Sequence, residues 1–436
     1  MKHRTVAAWL SAIFAGLGQL YNRQFIKGIL FIAVEILALF YFINNLGTAI
    51  WGTVTLGESG SHFEKVNGIA RLVPGDHSIN LLIQGLITII LFIIFVIYYV
   101  MNIKDAYQIG KQRELGVAAN NFKGTLQYIL EQKFAVAFLT IPGIGILFFT
   151  IMPIIFMILL SFTNYSAPDH LPPAKLVDWV GFDTFKNLLT LKSWSHTFWG
   201  VLVWTIIWAV LSTVTTYFGG MFVALLIQQK VVKLKGLWRT ILIIPYAIPQ
   251  LISLLVMRNM FNGQFGPINQ YLAYFGLGGL PWLTDPFWAK VTVIVVNMWV
   301  GIPVSMLLIM GVLTTISKDL YEAADIDGAT NYQKFRIITL PMILFSTAPI
   351  LITQFAGNIN NFNAIFLLTN GNPVVGDYQY AGATDLLVTW LYKLTLDQNR
   401  YNMASAVGII IFLIIASFSI YNYRRTRSFK EEDMIQ

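Results

Sequence analysis

Glu322-Ala323-Ala324-Asp325-Ile326-Asp327-Gly328-Ala329, with Phe335 and Leu340-Pro341 downstream, is a polar island between two long apolar stretches, roughly 287–316 and 342–368. A helix needs about 20 apolar residues to cross the hydrocarbon core, so both flanks are long enough to span and the island lies outside the bilayer. It reads as an amphipathic helix stopped by Pro341. Ala323 and Ala324 would let a partner approach closely, and Gly328 would relieve the backbone at a bend. Tyr332 and Phe335 fall on roughly one helical face, where they could anchor a protein interface. An ordinary connecting helix with solvated charges would share this composition; the joint spacing of acid, paired alanines, glycine and Leu-Pro sets the island apart.

The 436-residue chain is 56% apolar and only 11% charged, against about 25% charged residues in soluble domains. Eight stretches can span: roughly 25–46, 80–103, 134–161, 200–227, 238–261, 287–316, 342–368 and 401–423. Of the 29 Lys and Arg, 20 fall on one side of this pattern, including Lys2, Arg4, Lys104, Arg113, Lys230, Lys334, Arg425, Arg427 and Lys430. Eight fall on the other side, and Arg258 sits near a span end. The positive-inside rule then places both termini and the 322–341 island in the cytoplasm. This one-sided excess, rather than affinity for nucleic acid, accounts for the net charge of +8. With no cysteine, disulfides and cysteine-ligated metals are excluded.

Lys2-His3-Arg4 followed by Val6 to Leu20 imitates a signal peptide. Leu17-Gly18-Gln19-Leu20-Tyr21 makes a poor cleavage site, however, and a full span follows at once. An interfacial or half-inserted helix is the better reading. Glu35 lies inside the first span, where a carboxylate is costly and often functional. It would suit a proton-coupled carrier, though a structural partner or a protonated form accounts for it as well.

Polar content gathers in the later spans. Pro245-Tyr246 and Pro249-Gln250 interrupt the fifth; Asn297, Trp299, Gly301 and Pro303 punctuate the sixth. In the seventh, Pro349 precedes Gln354, Gly357, Asn358, Asn360, Asn361 and Asn363. At about 1.5 Å rise per residue, Tyr246 and Gln250 lie roughly 12–18 Å from the inner end of their span, and Asn297 and Asn358 about 15 Å below the outer ends of theirs. Broken helices at that depth are tolerated mainly where they line a cavity; single asparagines can equally well bond neighbouring helices. On a regular helix Asn358 and Asn361 share a face while Asn360 points about 100° away. The cluster is uncharged. Amides and a phenol offer donors and acceptors together, which suits a hydroxyl-rich neutral molecule, hence a sugar.

From about residue 130 onward the chain resembles the larger membrane subunit of maltose/maltodextrin importers of the ABC type. The likeness rests on the Glu-Ala-Ala…Gly…Leu-Pro island and on 245–249, 296–301, 358–362, 367–373 and 384–388. It implies an all-α polytopic permease of about eight transmembrane helices. The expected parts are an N-terminal region 1–130, holding the interfacial helix and first two spans, and a type I permease core 131–436 containing a coupling loop 317–341. It implies sugar contacts at Tyr246, Asn297, Gly301, Asn358 and Asn361. Gln250, beside them, departs from the family pattern along with Val304 and Gly357. It also implies an ATPase dock at Glu322, Ala323, Ala324, Gly328, Phe335, Leu340 and Pro341. The implied partners are a second permease subunit, a cytoplasmic ATPase dimer, and an extracellular sugar-binding lipoprotein. The short connection 162–199 suits a Gram-positive cell membrane.

His3, His62, His77, His170 and His196 are scattered, with no His-Glu-x-x-His spacing, no Gly-x-x-x-x-Gly-Lys-Ser/Thr loop and no Gly-x-Ser-x-Gly elbow. No enzyme site is expected, nor a cofactor bound by this chain; ATP and magnesium would belong to the partner ATPase. An ion-coupled secondary sugar carrier using Glu35 or Arg258 is the alternative. It would call for inverted repeats, and none is evident. A membrane enzyme or assembly factor lacks any candidate nucleophile or acid–base pair.

Overall fold

The structure, a computed structural model, describes residues 2–66, 69–117, 122–171, 175–229 and 231–424. Lys230 and the basic tail residues Arg425, Arg427 and Lys430 lie outside the described residues. The chain forms two compact units, 1–181 and 182–436. The third span falls in the first unit, with the first two.

The first unit begins with α1 (His3–Ile13) and α2 (Leu17–Tyr21), then the long α3 (Phe25–Thr55). A hairpin of β1 (His62–Val66) and β2 (Ile69–Val73) follows, with His62 opposite Val73. Then come α4 (Ser78–Glu114), α5 (Phe122–Gln132), α6 (Phe134–Ile146), a π-turn at Leu147–Ile151 and α7 (Met152–Ser161). The α1–α2 hairpin packs into the unit. It is not a lone interfacial helix. Arg4 pairs with Glu114, and the Tyr99 hydroxyl donates to the Ala12 carbonyl at 2.8 Å, so α1 runs antiparallel along the end of α4. The turn exposes backbone N–H groups where water is scarce. Ala15 N–H donates to the Glu35 carboxylate, Gly16 N–H to Asn102 Oδ1 at 3.4 Å, and Gly18 N–H to Ser11 Oγ at 3.2 Å. Glu35 thus closes a turn of the hairpin, the structural partner that sequence had offered as one account of it.

The second unit holds α8 (Asp183–Thr190), α9 (Lys192–Gln228), α10 (Lys235–Ala247), α11 (Gln250–Met260), α12 (Pro267–Tyr274) and α13 (Pro286–Thr315). The short α14 (Lys318–Ile326) and α15 (Asn331–Lys334), a π-turn at Phe335–Thr339, α16 (Leu340–Ile359) and α17 (Phe362–Leu368) follow. The chain ends with α18 (Leu387–Tyr392), a π-turn at Lys393–Asp397 and α19 (Tyr401–Tyr423). Among the described residues, seven helical runs can cross a membrane, and α10–α11 form an eighth in two pieces bent by 89°. Eight spans were expected.

The centre of this unit is α9. Gly220 meets α13 so closely that a Cβ there would stand 2.7 Å from Met306 N and closer still to Ser305 Cβ. On its α16 side runs a ladder of interhelical hydrogen bonds. Trp208 Nε1 donates to the Asn358 carbonyl (3.0 Å), Asn358 Nδ2 to Thr213 Oγ1 (2.9 Å), and Gln354 Nε2 to Thr216 Oγ1 (3.0 Å). Tyr217 and Thr347 share a fourth bond at 2.6 Å. Small residues at the contact and polar bonds across it are the forces available between helices in lipid.

Gly220→Val should lower the thermal midpoint of the purified, detergent-solubilised protein, since overpacking costs about 1–3 kcal/mol. Gly311→Ala, where an added Cβ meets nothing within 4 Å, should leave it unchanged or slightly raised. Equal midpoints for the two would contradict the packing described.

Candidate functional site

The fifth span breaks because Pro249 and Pro245 sit four residues apart: α10 ends at Ala247, Ile248 is extended, and Pro249 caps α11. Prolines lack an N–H, so the break strands fewer donors than another sequence would. Tyr246, 58% exposed, sits just before the bend and Gln250 just after it. The seventh span breaks too. Residues 358–361 do not form the regular helix expected: α16 stops at Ile359, and Asn361 begins α17 by accepting the Ala364 N–H at 3.2 Å on its Oδ1.

This break redistributes the asparagines. Asn358 is buried and bonded to Thr213, with its carbonyl taken by Trp208; it braces α16 against α9. Asn361 spends its amide oxygen on the cap. Asn360, expected to point away, is exposed, as is Asn363. Asn363 Nδ2 donates to Gln250 Oε1 at 3.3 Å, which joins the two helix breaks directly. Asn297 is half-buried on α13 with no side-chain bond among the described residues, and its neighbour Val296 packs in one cluster with Leu254, Ala364 and Ile365. The three elements thus meet around a shared apolar floor. Gly301, expected as a sugar contact, faces α9: a Cβ there would lie 2.6 Å from Thr216 Cγ2. The unbonded or exposed polar set is Tyr246, Asn297, Asn360 and Asn363, with the half-buried Gln250 bonded to Asn363.

Sequence alone assigned no role to 369–400, which folds tightly on the N-terminal half of α9. Thr384 Oγ1 donates to the Asn372 carbonyl (2.8 Å), its own carbonyl accepts Trp204 Nε1 (3.1 Å), and the Leu387 N–H donates to Thr205 Oγ1 (3.0 Å). Buried Asp385 accepts from Gly382 N–H, the Thr389 hydroxyl and Lys393 Nζ, each at 2.7–2.8 Å. Burial pushes its carboxyl above the usual range, against the Lys393 ammonium that pulls it down. The signal in sequence was a dense run of Gly, Thr and Asp with one basic residue eight positions on.

The 317–341 island is built as a hook. Ser317 accepts the Asp319 N–H to start α14. Gly328, at φ +73°, ends it: Gly328 N–H reaches the Asp325 carbonyl (3.1 Å) and Ala329 N–H the Ala324 carbonyl (2.9 Å), a Schellman closure. Pro341 does not stop this helix. The chain re-enters helix at Asn331 through a Thr330–Gln333 capping box and continues past Pro341, with the π-turn 335–339 before it. A π-bulge commonly absorbs such a disturbance of the helix. Phe335 and Leu340 pack inward against Tyr217, Met221 and Ile309, whereas Tyr332 is exposed; the two aromatics do not share a face. Glu322 and Ala323 are exposed, and Gly328 has open space around it. Tyr321 bonds Thr339 at 2.8 Å, and Lys334 pairs with Asp325, so the hook is tied to the foot of the seventh span.

Residues 217–428 match the family described as the binding-protein-dependent transport system inner membrane component. The chain is 42% identical over 436 residues to the galactooligosaccharides transport system permease protein GanP of Bacillus subtilis, covering 99% of this chain and 100% of that protein. It belongs to this permease family. The maltodextrin transport system permease protein MalC of Streptococcus pneumoniae is 37% identical over 445 residues, with 99% of this chain and 98% of that protein covered. A chain of a bacterial alginate ABC transporter shares the fold, with a TM-score of 0.57 at 24% identity over 69% of this chain and 96% of that one.

In this permease Asn358 and Asn363 should behave differently. Asn358→Leu should lower the detergent thermal midpoint, because interhelical bonds in membranes average about 0.6 kcal/mol and reach about 1.7. Asn363→Leu should leave the midpoint unchanged while reducing transport of the cargo. The reverse pattern would return Asn358 to the pore wall.

Proposed function

We propose that this permease forms one half of a heterodimeric translocation pore that imports neutral oligosaccharides across the cell membrane, with both termini in the cytoplasm. A sugar-binding lipoprotein would deliver the cargo, and a cytoplasmic ATPase dimer would supply the energy, ATP and magnesium being bound there. What carries this reading is the joined pair of helix breaks at Gln250 and Asn363, flanked by Tyr246, Asn297 and Asn360 and free of charge. A hydroxyl-rich ligand needs donors and acceptors side by side, which amides and phenols supply. The relatives named for galactooligosaccharides and maltodextrin support the substrate class. Both cargoes are neutral hexose chains, and the linkage preferred here would depend on Gln250 and its neighbours. A Gram-positive origin fits the Bacillus and Streptococcus relatives and the short 162–199 connection.

The exposed hook from Glu322 to Tyr332 would dock on the ATPase, with Ala323 and Gly328 allowing close approach. Phe335, Leu340 and Pro341 would transmit its position to the seventh span. The secondary-carrier reading gains nothing from Glu35, whose carboxylate is engaged by Ala15 N–H.

Transport by the reconstituted complex should require ATP and persist when a proton gradient is collapsed. Glu35→Gln, which keeps an acceptor for the Ala15 N–H, should import normally. Gly328→Asp forces a side chain into left-handed backbone at a cost of about 1–2 kcal/mol and places a charge at the dock. It should abolish import and copurification of the ATPase while the permease still inserts. ATP-independent import, or loss of import in Glu35→Gln at normal expression, would favour a carrier.

A further inference from the structure

Between Arg258 and Asp285 the chain runs 26 residues, 259–284, without a charge. The other connections on the side that the charge bias assigns to the exterior contain acidic and basic residues, among them Glu58 and Arg71, Asp169 and Lys175, Asp377 and Arg400. An aqueous loop without charge and rich in rings is unusual. This one is also built to stay open. Asn269 uses its whole amide as a strut: Nδ2 donates to the Gly263 and Leu280 carbonyls (2.9 and 3.0 Å), and Oδ1 accepts Leu280 N–H and Trp282 Nε1 (3.1 and 2.7 Å). Asn262 Oδ1 fixes the preceding turn by accepting the Gln264 and Phe265 N–H groups at 2.9 Å.

On this strutted loop the large rings point outward instead of collapsing. Phe265, Tyr271 and Tyr274 are 76%, 69% and 84% exposed. Neither tyrosine hydroxyl has a bond among the described residues. Two open hollows adjoin at Pro267. One, of about 420 Å³, reaches up α11 through Val256, Asn259 and Asn262 to Phe265. The other, of about 410 Å³, lies between Gln270, Tyr271, Tyr274 and Phe275. They sit at the end of α11 opposite to Gln250, about 15 Å along the helix. The same helix therefore carries an amide-and-ring surface at its far end and the joined polar breaks at its start.

We propose that 259–275 is an outer subsite for neutral oligosaccharides, in which Tyr271, Tyr274 and Phe265 lie against sugar faces while an earlier part of the same chain reaches Gln250. The inference rests on the import of oligosaccharides proposed above. Apolar faces of hexoses match aromatic rings, free phenols and amides match their hydroxyls, and the lack of charge matches a neutral cargo. A rigid loop avoids the entropy cost of ordering on binding. A disaccharide seated at the breaks is too short to span the length of α11, whereas a chain of five or more units extends beyond it.

The test is the dependence on chain length. In the complete reconstituted importer, half-saturation for a pentasaccharide and for a disaccharide of the same linkage is measured for the unsubstituted permease, a Tyr271→Ala/Tyr274→Ala double variant, and Tyr274→Trp. The ratio of the two constants, pentasaccharide over disaccharide, should rise about fivefold or more in the double variant. It should stay near the unsubstituted value in Tyr274→Trp, which keeps a ring. An unaltered ratio in the double variant overturns the subsite. Loss of both substrates in proportion also overturns it, and would point to docking of the binding protein or anchoring in the lipid interface. Failure of the unsubstituted importer to move either sugar would instead remove the functional reading beneath it.

Discussion

In hydrocarbon there is no water to satisfy a stranded peptide group, and each one left bare costs several kcal/mol. The interior of this permease is arranged around that constraint. Where a helix stops in mid-span, something local closes the gap: proline removes the donor at 245 and 249, Asn361 accepts the Ala364 N–H, and Glu35, Asn102 and Ser11 take the N–H groups of the α1–α2 hairpin. Breaks secured in this way can present side chains toward a pore without unravelling the backbone. Polar residues in these spans consequently have two occupations, bracing and binding, which only their bonds distinguish.

That division explains what could be read from sequence. The eight spans and the island follow from runs of apolar residues and from proline, and the structure reproduces them. The division of labour among neighbouring asparagines does not follow. Asn358 and Asn361 looked equivalent on an unbroken helix, yet a two-residue break makes one a brace to Thr213 and the other a cap, and turns Asn360 and Asn363 outward. Gly301 is expected as a ligand contact, and in the structure it lies so near α9 that an added Cβ would stand 2.6 Å from Thr216 Cγ2. Pro341 signals a helix end in water, whereas here a π-turn lets the helix run through it. The cap at 369–400 escaped because its bonds join residues about 180 positions apart, such as Trp204 to Thr384.

The second unit therefore has a rigid side and a less bonded side. Rigid are α9, its glycine contact with α13, its hydrogen-bond ladder with α16, and the cap held by Asp385. Removing one partner of a buried ion pair such as Asp385–Lys393 costs about 3–5 kcal/mol, so this side resists rearrangement. Less bonded are the bent α10–α11 pair and the 359–362 break, joined by the 3.3 Å Asn363–Gln250 hydrogen bond and by the apolar cluster of Leu254, Ala364 and Ile365. The hook at 318–334 is tied through Tyr321 and Thr339 to the helix that carries the second break. The helical run from Asn331 to Ile359 thus joins the hook to the start of that break.

The natural absence of cysteine permits a direct measurement of which side chains line the path. Single substitutions Tyr246→Cys, Asn363→Cys and Asn358→Cys would be exposed, in the assembled importer, to a membrane-impermeant thiol reagent with and without oligosaccharide-loaded binding protein. The account predicts labelling at 246 and 363 that the cargo suppresses, and no labelling at 358. Cargo-protected labelling at 358 with inert positions at 246 and 363 would contradict it.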